Sequence, residues 1–119
     1  MICYGDNYMK ILYQSNDGLI FNSEFLCLNH ENSLIHPSLF SIVFYNKTDT
    51  PYKIRKENLY DDEVYLECEK VIIHNRKELD DFMWLVEECG WCEFEDINSI
   101  GTWIRKTNDF DEGEWKKYE

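Results

Sequence analysis

Two residue pairs have spacings that could bind a metal ion. Cys89 and Cys92 form a C-x-x-C pair, and Cys27 and His30 form a C-x-x-H pair. Thiolate and imidazole ligands at such spacings are typical of structural zinc sites, where four ligands surround the ion. Buried cysteines are also common as small apolar residues in protein cores, and we favour that interpretation here. We therefore predict no metal and no cofactor, and keep Cys27, His30, Cys89 and Cys92 as the alternative zinc set.

The C-x-x-C pair could instead carry thiol redox chemistry. A reactive thiol of that kind is activated at the amino terminus of a helix, whereas the C-x-x-C pair lies at the carboxyl end of a predicted helix. The odd number of cysteines, five in all, indicates free thiols and a reducing compartment. We therefore predict no redox activity for this pair.

No catalytic motif accompanies the histidines. His30, His36 and His74 stand without a nucleophile motif, a glycine-rich phosphate loop or an H-E-x-x-H sequence. The sequence therefore predicts a protein that is not an enzyme.

The predicted helix over residues 75–89 places a tryptophan among acids. If Leu79, Phe82, Met83, Val86 and Cys89 face the core, the step of about 100° per residue puts Trp84 on the opposite face. An exposed tryptophan flanked by carboxylates is typical of an anchor for a basic partner. The alternative is that the carboxyl-terminal hairpin covers Trp84. The residues predicted to bind a partner are Asp80, Asp81, Trp84, Glu87, Glu88, Glu93, Glu95 and Asp96.

Charge is distributed unevenly along the chain. The net charge is -12, and residues 61–119 carry eighteen acids against seven bases. Such a field repels phosphate backbones and anionic membranes and attracts basic surfaces, so we expect a basic protein partner, no direct nucleic acid and no membrane. The alternative is that the acidity confers only solubility.

The hydrophobic pattern predicts the elements that carry these residues. Apart from the helix over 75–89, a hairpin over 9–21 turns at Ser15–Gly18, and a helix capped by Asn22 or Ser23 ends near Asn32. Strands are predicted at 39–46, 64–68 and 70–73, and a closing hairpin joins strands 102–105 and 114–118. The order ββα, ββ(β)α, ββ predicts an α+β fold with an antiparallel sheet and two helices.

The length of 119 residues predicts one domain over 1–119. Met9 could be an alternative start, which would make residues 1–8 an extension outside the core. No secretory signal or membrane-spanning segment is evident, so a cytoplasmic protein is expected.

Residues 10–31 resemble the start of small acidic proteins of phages that infect AT-rich bacteria. The shared positions form a strand, a D-G turn, a strand and a helix, and Phe25 departs from the pattern by replacing an acid. They are Asp17, Gly18, Phe21, Ser23, Glu24, Cys27, Leu28 and Glu31. The resemblance implies an anti-CRISPR or anti-restriction protein that blocks the basic groove of a host nuclease.

We therefore predict a non-catalytic inhibitor that binds the nucleic-acid-binding surface of a defence nuclease, with possible nucleic-acid mimicry. One alternative is a small-molecule binder that sequesters a nucleotide defence signal, which would require Lys53, Arg55, Lys56 and Arg105 to converge. Another alternative is a structural module that assembles as a homo-oligomer through an apolar interface.

Overall fold

The computed structural model describes residues 1–5, 11–106 and 113–118. The chain forms two compact units, residues 1–36 and residues 37–119. In these described ranges the secondary structure consists of two α-helices, four short 3₁₀ helices and antiparallel strands in two sheets.

 The four 3₁₀ helices in these ranges are Pro37–Ser41, Lys56–Asn58, Glu63–Tyr65 and Cys92–Phe94. The predicted α+β class is confirmed, whereas the predicted single domain stays a prediction. No helix in the described ranges is long and apolar enough to cross a membrane.

Residues 1–36 form a three-stranded antiparallel sheet and one helix. The strands are β1 (Ile2–Gly5), β2 (Ile11–Gln14) and β3 (Ile20–Phe21), in the order β1-β2-β3. The predicted hairpin is confirmed, because Tyr13 pairs with Phe21 across a turn in which Gly18 adopts a φ of 92°. A φ in this region favours glycine, which explains the Asp-Gly signal in the sequence.

Strand β1 changes the interpretation of the amino terminus. Residues 2–5 were considered as part of an extension, but they pair antiparallel with β2. The two strands are neighbours in sequence, since β2 begins only six residues after β1 ends. The pairing was missed because residues 1–8 were treated as an extension. Residues 6–10, which include the alternative start Met9, lie outside the described residues.

Helix α1 spans Glu24–Ile35. Ser23 caps it, because its hydroxyl accepts a hydrogen bond from the Leu26 amide at 3.4 Å. The helix continues three residues beyond the predicted end at Asn32. The Asn32 carbonyl accepts a hydrogen bond from the His36 amide at 2.9 Å, which closes the last turn.

Residues 37–119 contain a five-stranded antiparallel sheet in the order β5-β4-β6-β7-β8. Phe44, Val71 and Trp103 occupy one row of this sheet, and all three are buried. The strands are β4 (Val43–Tyr45), β5 (Pro51–Tyr52), β6 (Lys70–Ile73), β7 (Gly101–Ile104) and β8 (Lys116–Tyr118). The predicted strand at 70–73 and the closing hairpin are confirmed, and turn residues 108–112 of that hairpin lie outside the described residues.

Helix α2 spans Arg76–Cys89, as its capping signals predicted. The side chain of Asn75 accepts a hydrogen bond from the Glu78 amide at 3.0 Å, and Gly90 ends the helix with a φ of 77°. These two local signals fix the helix boundaries because each satisfies backbone groups that the helix leaves unpaired.

Two predicted strands are wrong in part or in full. Residues 37–41 form a 3₁₀ helix, so only the second half of the predicted strand 39–46 is extended, as β4. The predicted strand 64–68 is wrong in full, because residues 63–65 form a 3₁₀ helix and residues 66–67 form a turn. Leu39 and Ile42 are buried at a spacing of three residues, which fits a 3₁₀ turn better than an alternating strand.

The hydrophobic core of residues 37–119 is rich in aromatic rings. Phe44 lies 5.5 Å from Tyr65 and 6.4 Å from Phe82, measured between ring centroids. Trp91 stacks on Tyr65 at 4.9 Å and donates its indole N–H to the Leu59 carbonyl at 2.8 Å. Burial of these rings supplies both apolar area and defined packing, so the core holds α2 and the following turn firmly in place.

Candidate functional site

The outward face of α2 differs from the predicted one. Leu79, Phe82 and Leu85 are buried, whereas Met83, predicted to face the core, is 39% exposed. Glu78 is buried on the same face as the apolar residues, so the buried face is rotated relative to the apolar stripe. Val86 and Cys89 pack against the core only partly. Met83 is therefore an apolar surface residue beside the acids of this helix.

The segment after α2 buries every third residue and exposes the acids between them. Trp91, Phe94 and Ile97 are buried at intervals of three residues. Backbone hydrogen bonds from Phe94 to Trp91 at 3.0 Å and from Ile97 to Phe94 at 3.1 Å hold the tight turns between them. The intervening acids Glu93, Glu95 and Asp96 are consequently exposed.

Helix α2 and this segment enclose a surface cavity of about 300 Å³. Its apolar lining comes from Met83, Val86 and Ile97, and two carboxylates, Glu87 and Glu95, also line it. We call this cavity the acidic groove, and its lining is Met83, Val86, Glu87, Cys92, Glu95, Ile97 and Asn98.

The stretch of sequence that builds the acidic groove carries charge of one sign. Residues 78–104 contain eight acids and no lysine, arginine or histidine. Glu87, Glu88, Glu93, Glu95 and Asp96 are exposed in this stretch. Because exposed charges interact over a Debye length of roughly 10 Å, neighbouring carboxylates reinforce one another at the groove.

The eight residues predicted to bind a partner have different surroundings. Glu87 and Glu95 line the acidic groove, and Glu88, Glu93 and Asp96 are exposed nearby in sequence. Asp80 is exposed and pairs with Arg76 at 3.0 Å. Asp81 has a structural contact, because its carboxylate accepts a hydrogen bond from the Ser38 amide at 3.0 Å.

Trp84 is not the exposed anchor that the sequence predicted. Its side chain is half-buried and packs against the hydrophobic core. Burial of an indole ring is strongly favourable, which explains why the ring does not extend into solvent. Met83, the residue before it, takes its place as the exposed apolar side chain among the acids.

The zinc set is not supported. Within the part of the chain that the structure describes, no group of three or more His, Cys, Asp or Glu side chains could hold a metal ion. Cys27 is fully buried, and the His30 ring nitrogen Nε2 lies 2.7 Å from the Asp17 carboxylate. Burial also raises the pKa of the Cys27 thiol.

Cys89 of the C-x-x-C pair lacks the lowered thiol pKa that redox chemistry requires. Desolvation by burial raises the pKa of Cys89 to about 11, so its thiolate is scarce at neutral pH. Cys89 and Cys92 are free thiols, as are Cys27 and Cys68. The side chain of Cys3, the fifth cysteine, lies outside the description.

The four bases proposed for a nucleotide pocket are not alike. Lys53, Arg55 and Lys56 are exposed, whereas Arg105 is buried. The Arg105 guanidinium donates to the Cys68 carbonyl at 2.9 Å and to the Leu66 carbonyl at 2.7 Å. Arg105 therefore stabilises residues 66–68. The cavity that it lines contains Lys106, Lys116 and Lys117 and not Lys53, Arg55 or Lys56.

A buried carboxylate that sequence reasoning missed lies at the start of α2. Glu78 accepts hydrogen bonds from the Ser41 hydroxyl at 2.9 Å and from the His74 amide at 2.9 Å, and it lies 2.8 Å from His74 Nδ1. Ser41 contacts the carboxylate and not the imidazole, so these three side chains do not form the nucleophile–base pair of a hydrolase. The capping relation of Asn75 and Glu78 was the signal for this cluster.

Comparison with known proteins identifies no relative. The chain matches no protein-family model, no curated protein and no solved structure. The resemblance of residues 10–31 to phage proteins therefore stays a prediction, and the role of the acidic groove is inferred from its own residues.

Proposed function

We propose that this chain is a non-catalytic binding protein that docks its acidic groove onto a basic surface of another protein. The observation that carries the proposal is the composition of the groove. Met83, Val86 and Ile97 supply apolar contact, and Glu87 and Glu95 supply negative charge in the same cavity.

This combination is complementary to lysine and arginine side chains. Both have an apolar stem and a charged head, and the stem packs on apolar surface while the head pairs with a carboxylate. In the acidic groove the stem would lie against Met83 and Val86, with the head between Glu87 and Glu95. The exposed acids Glu88, Glu93 and Asp96 would steer the basic partner toward this position.

The partner class follows from the same chemistry. Proteins that bind nucleic acid carry clustered lysine and arginine side chains, which pair with phosphates. A protein that occupies such a surface excludes nucleic acid from it. Together with the phage resemblance of residues 10–31, this leads us to propose a defence nuclease as the partner and inhibition as the outcome.

Charge reversal in the groove tests the proposal. The tagged chain is used to capture partners from a bacterial lysate at low salt, and the affinity of the recovered protein is then measured for the wild type and for Glu87→Lys/Glu95→Lys. We expect a loss of roughly tenfold or more, which corresponds to about 1.4 kcal/mol. The loss should shrink at high salt because screening weakens the wild-type interaction.

A matched control is Glu57→Lys/Glu67→Lys, which changes the net charge equally at two exposed acids outside the groove. Affinity should change much less for this variant. Equal losses in the two double variants would mean that total charge, and not the acidic groove, governs binding.

A further inference from the structure

A second cavity in residues 37–119 has the opposite charge. It has a volume of about 450 Å³, and we call it the basic cavity. Four of its lining residues are cationic and one is acidic. The lining is Ile104, Arg105, Lys106, Glu114, Lys116, Lys117 and Tyr118.

Strand pairing places Lys116 and Tyr118 on one face of β8, whereas Lys117, which pairs with Trp103, projects from the opposite face. Ile104 of β7 pairs with Lys116 of β8, and Thr102 pairs with Tyr118. Directly paired residues project from the same face of a sheet, so Lys116 and Tyr118 lie on one face of the strand β8. Tyr118 is 68% exposed and offers an accessible aromatic ring beside the lysine.

Two of the cations have fixed positions. Arg105 is held by the carbonyls of Leu66 and Cys68, and its guanidinium lies 4.5 Å from the ring centroid of Trp115. Lys117 donates to the Ser99 hydroxyl at 3.0 Å. A Cβ at Gly101 would lie 2.8 Å from Lys117 Cε, so the glycine leaves space for this lysine stem.

An adjoining cavity of about 200 Å³ extends the basic region. It shares Ile104, Arg105 and Lys106 with the basic cavity and adds Lys47 and Lys70, together with the acids Asp49 and Glu69. Lys70 lies 3.3 Å from Asp49 and 4.1 Å from the centroid of the Tyr45 ring. Six of the twelve lysine and arginine residues of this acidic chain thus line two cavities that share a wall.

We propose that the basic cavity binds a phosphate-bearing small molecule of the nucleotide class. Lysine ammonium groups bind phosphate as point charges, and Lys106 and Lys116 are exposed at the cavity. Tyr118 offers a ring on which a base can stack. Screening over roughly 10 Å weakens the effect of acids outside the cavity, so the local charge is set by four cations against Glu114.

This site is independent of the proposed inhibitor function, because the basic cavity and the acidic groove share no residue. Loss of one activity should leave the other unchanged. The two proposals therefore fail separately.

The test is calorimetric titration of the full chain with ADP. The wild type is compared with Lys106→Ala/Lys116→Ala and with the control Lys53→Ala/Lys77→Ala, which removes two exposed lysines elsewhere in the same unit. We expect the first variant to bind ADP at least roughly tenfold more weakly and the control to bind like the wild type. Circular dichroism confirms that both variants are folded.

Two further titrations identify the source of the phosphate. Pyrophosphate should bind more weakly than ADP because it lacks a base to stack on Tyr118, and a short single-stranded oligonucleotide should bind no more tightly than ADP. The proposal is overturned if ADP does not bind at millimolar concentration, if the two double variants lose affinity equally, or if only the oligonucleotide binds.

Discussion

Residues 1–36 and 37–119 bury their apolar side chains to very different extents. The core cluster of buried hydrophobic residues runs from Leu39 to Trp115, and in the described part of residues 1–36 the buried hydrophobic residue is Cys27. Exposed large hydrophobic residues show the reverse, with nine in the described part of 1–36 and four in that of 37–119. A segment of 36 residues is below the size of roughly 40 at which domains usually fold without staples or partners. The larger unit is therefore expected to provide most of the stability.

Most buried polar side chains are hydrogen-bonded in both units, and Asn29 stands out from them. In residues 37–119, Glu78 accepts several hydrogen bonds and the indole N–H groups of Trp91, Trp103 and Trp115 each donate to a carbonyl. In residues 1–36, the buried side chain of Asn29 has no hydrogen-bond partner for its oxygen or its nitrogen among the described residues. A buried amide without partners costs stability.

The largest expected effect on stability is the difference between a leucine-to-alanine substitution in α2 and one in α1. Leu85 of α2 is fully buried, and Leu34 of α1 is 50% exposed. Leu85→Ala should lower the free energy of unfolding by about 2–5 kcal/mol, because it creates a cavity. Leu34→Ala should lower it by less than about 1 kcal/mol. Denaturant unfolding measures both, and similar losses would contradict the contrast between the two units.

A smaller effect of opposite sign is expected at Asn29. Asn29→Leu replaces the unpartnered amide with an apolar side chain and should raise the free energy of unfolding by about 1 kcal/mol. The control Asn22→Leu changes an exposed residue and should have an effect within about 0.5 kcal/mol. If Asn29→Leu is destabilising in denaturant unfolding, the amide has a polar role that its surroundings do not show.

The smallest expected effect is a pH dependence in residues 1–36. Hydrogen bonds from Ser15 and His30 lower the pKa of Asp17 from 3.8 to about 2. Because the pKa is lower in the folded chain, the carboxylate stabilises the fold above pH 3.8, and this contribution is lost as the pH falls toward about 2. Titration of the Asp17 carboxyl by NMR measures the pKa directly.

Asp17→Asn provides the matched control, since it removes the ionisable group. The stability difference between wild type and variant should be constant above about pH 5 and should shrink in acid. A difference that does not change with pH would contradict the ionic role of Asp17.

Local signals in the sequence predicted the elements that have caps or tight turns. Asn75 and Gly90 gave the bounds of α2, and the Ser15–Gly18 turn gave the first hairpin. Strand β1 has no such signal in the described residues and was treated as part of an extension, although it pairs with the adjacent strand β2. The alternation of apolar residues in 39–46 also failed, because a 3₁₀ turn buries Leu39 and Ile42 by another spacing.

The candidate site was predictable as a charged region and not as a cavity. Glu87 and Glu95 were both predicted, but the apolar pattern assigned Met83 to the core. The pattern assigned Met83 to the core because it could not place the glutamate Glu78 on the buried face. The basic cavity was missed although the closing hairpin was predicted, because the register that pairs Ile104 with Lys116 has no signal in the sequence.

The most direct test of the proposed function is competition between the chain and nucleic acid for the captured partner. The complex is titrated with duplex DNA and with single-stranded RNA, and bound chain is followed by fluorescence anisotropy. We predict that the nucleic acid which the partner binds displaces the wild-type chain, and that it displaces Glu87→Lys/Glu95→Lys at lower concentration. A ternary complex in which nucleic acid binds with unchanged affinity would contradict docking of the acidic groove on the basic surface.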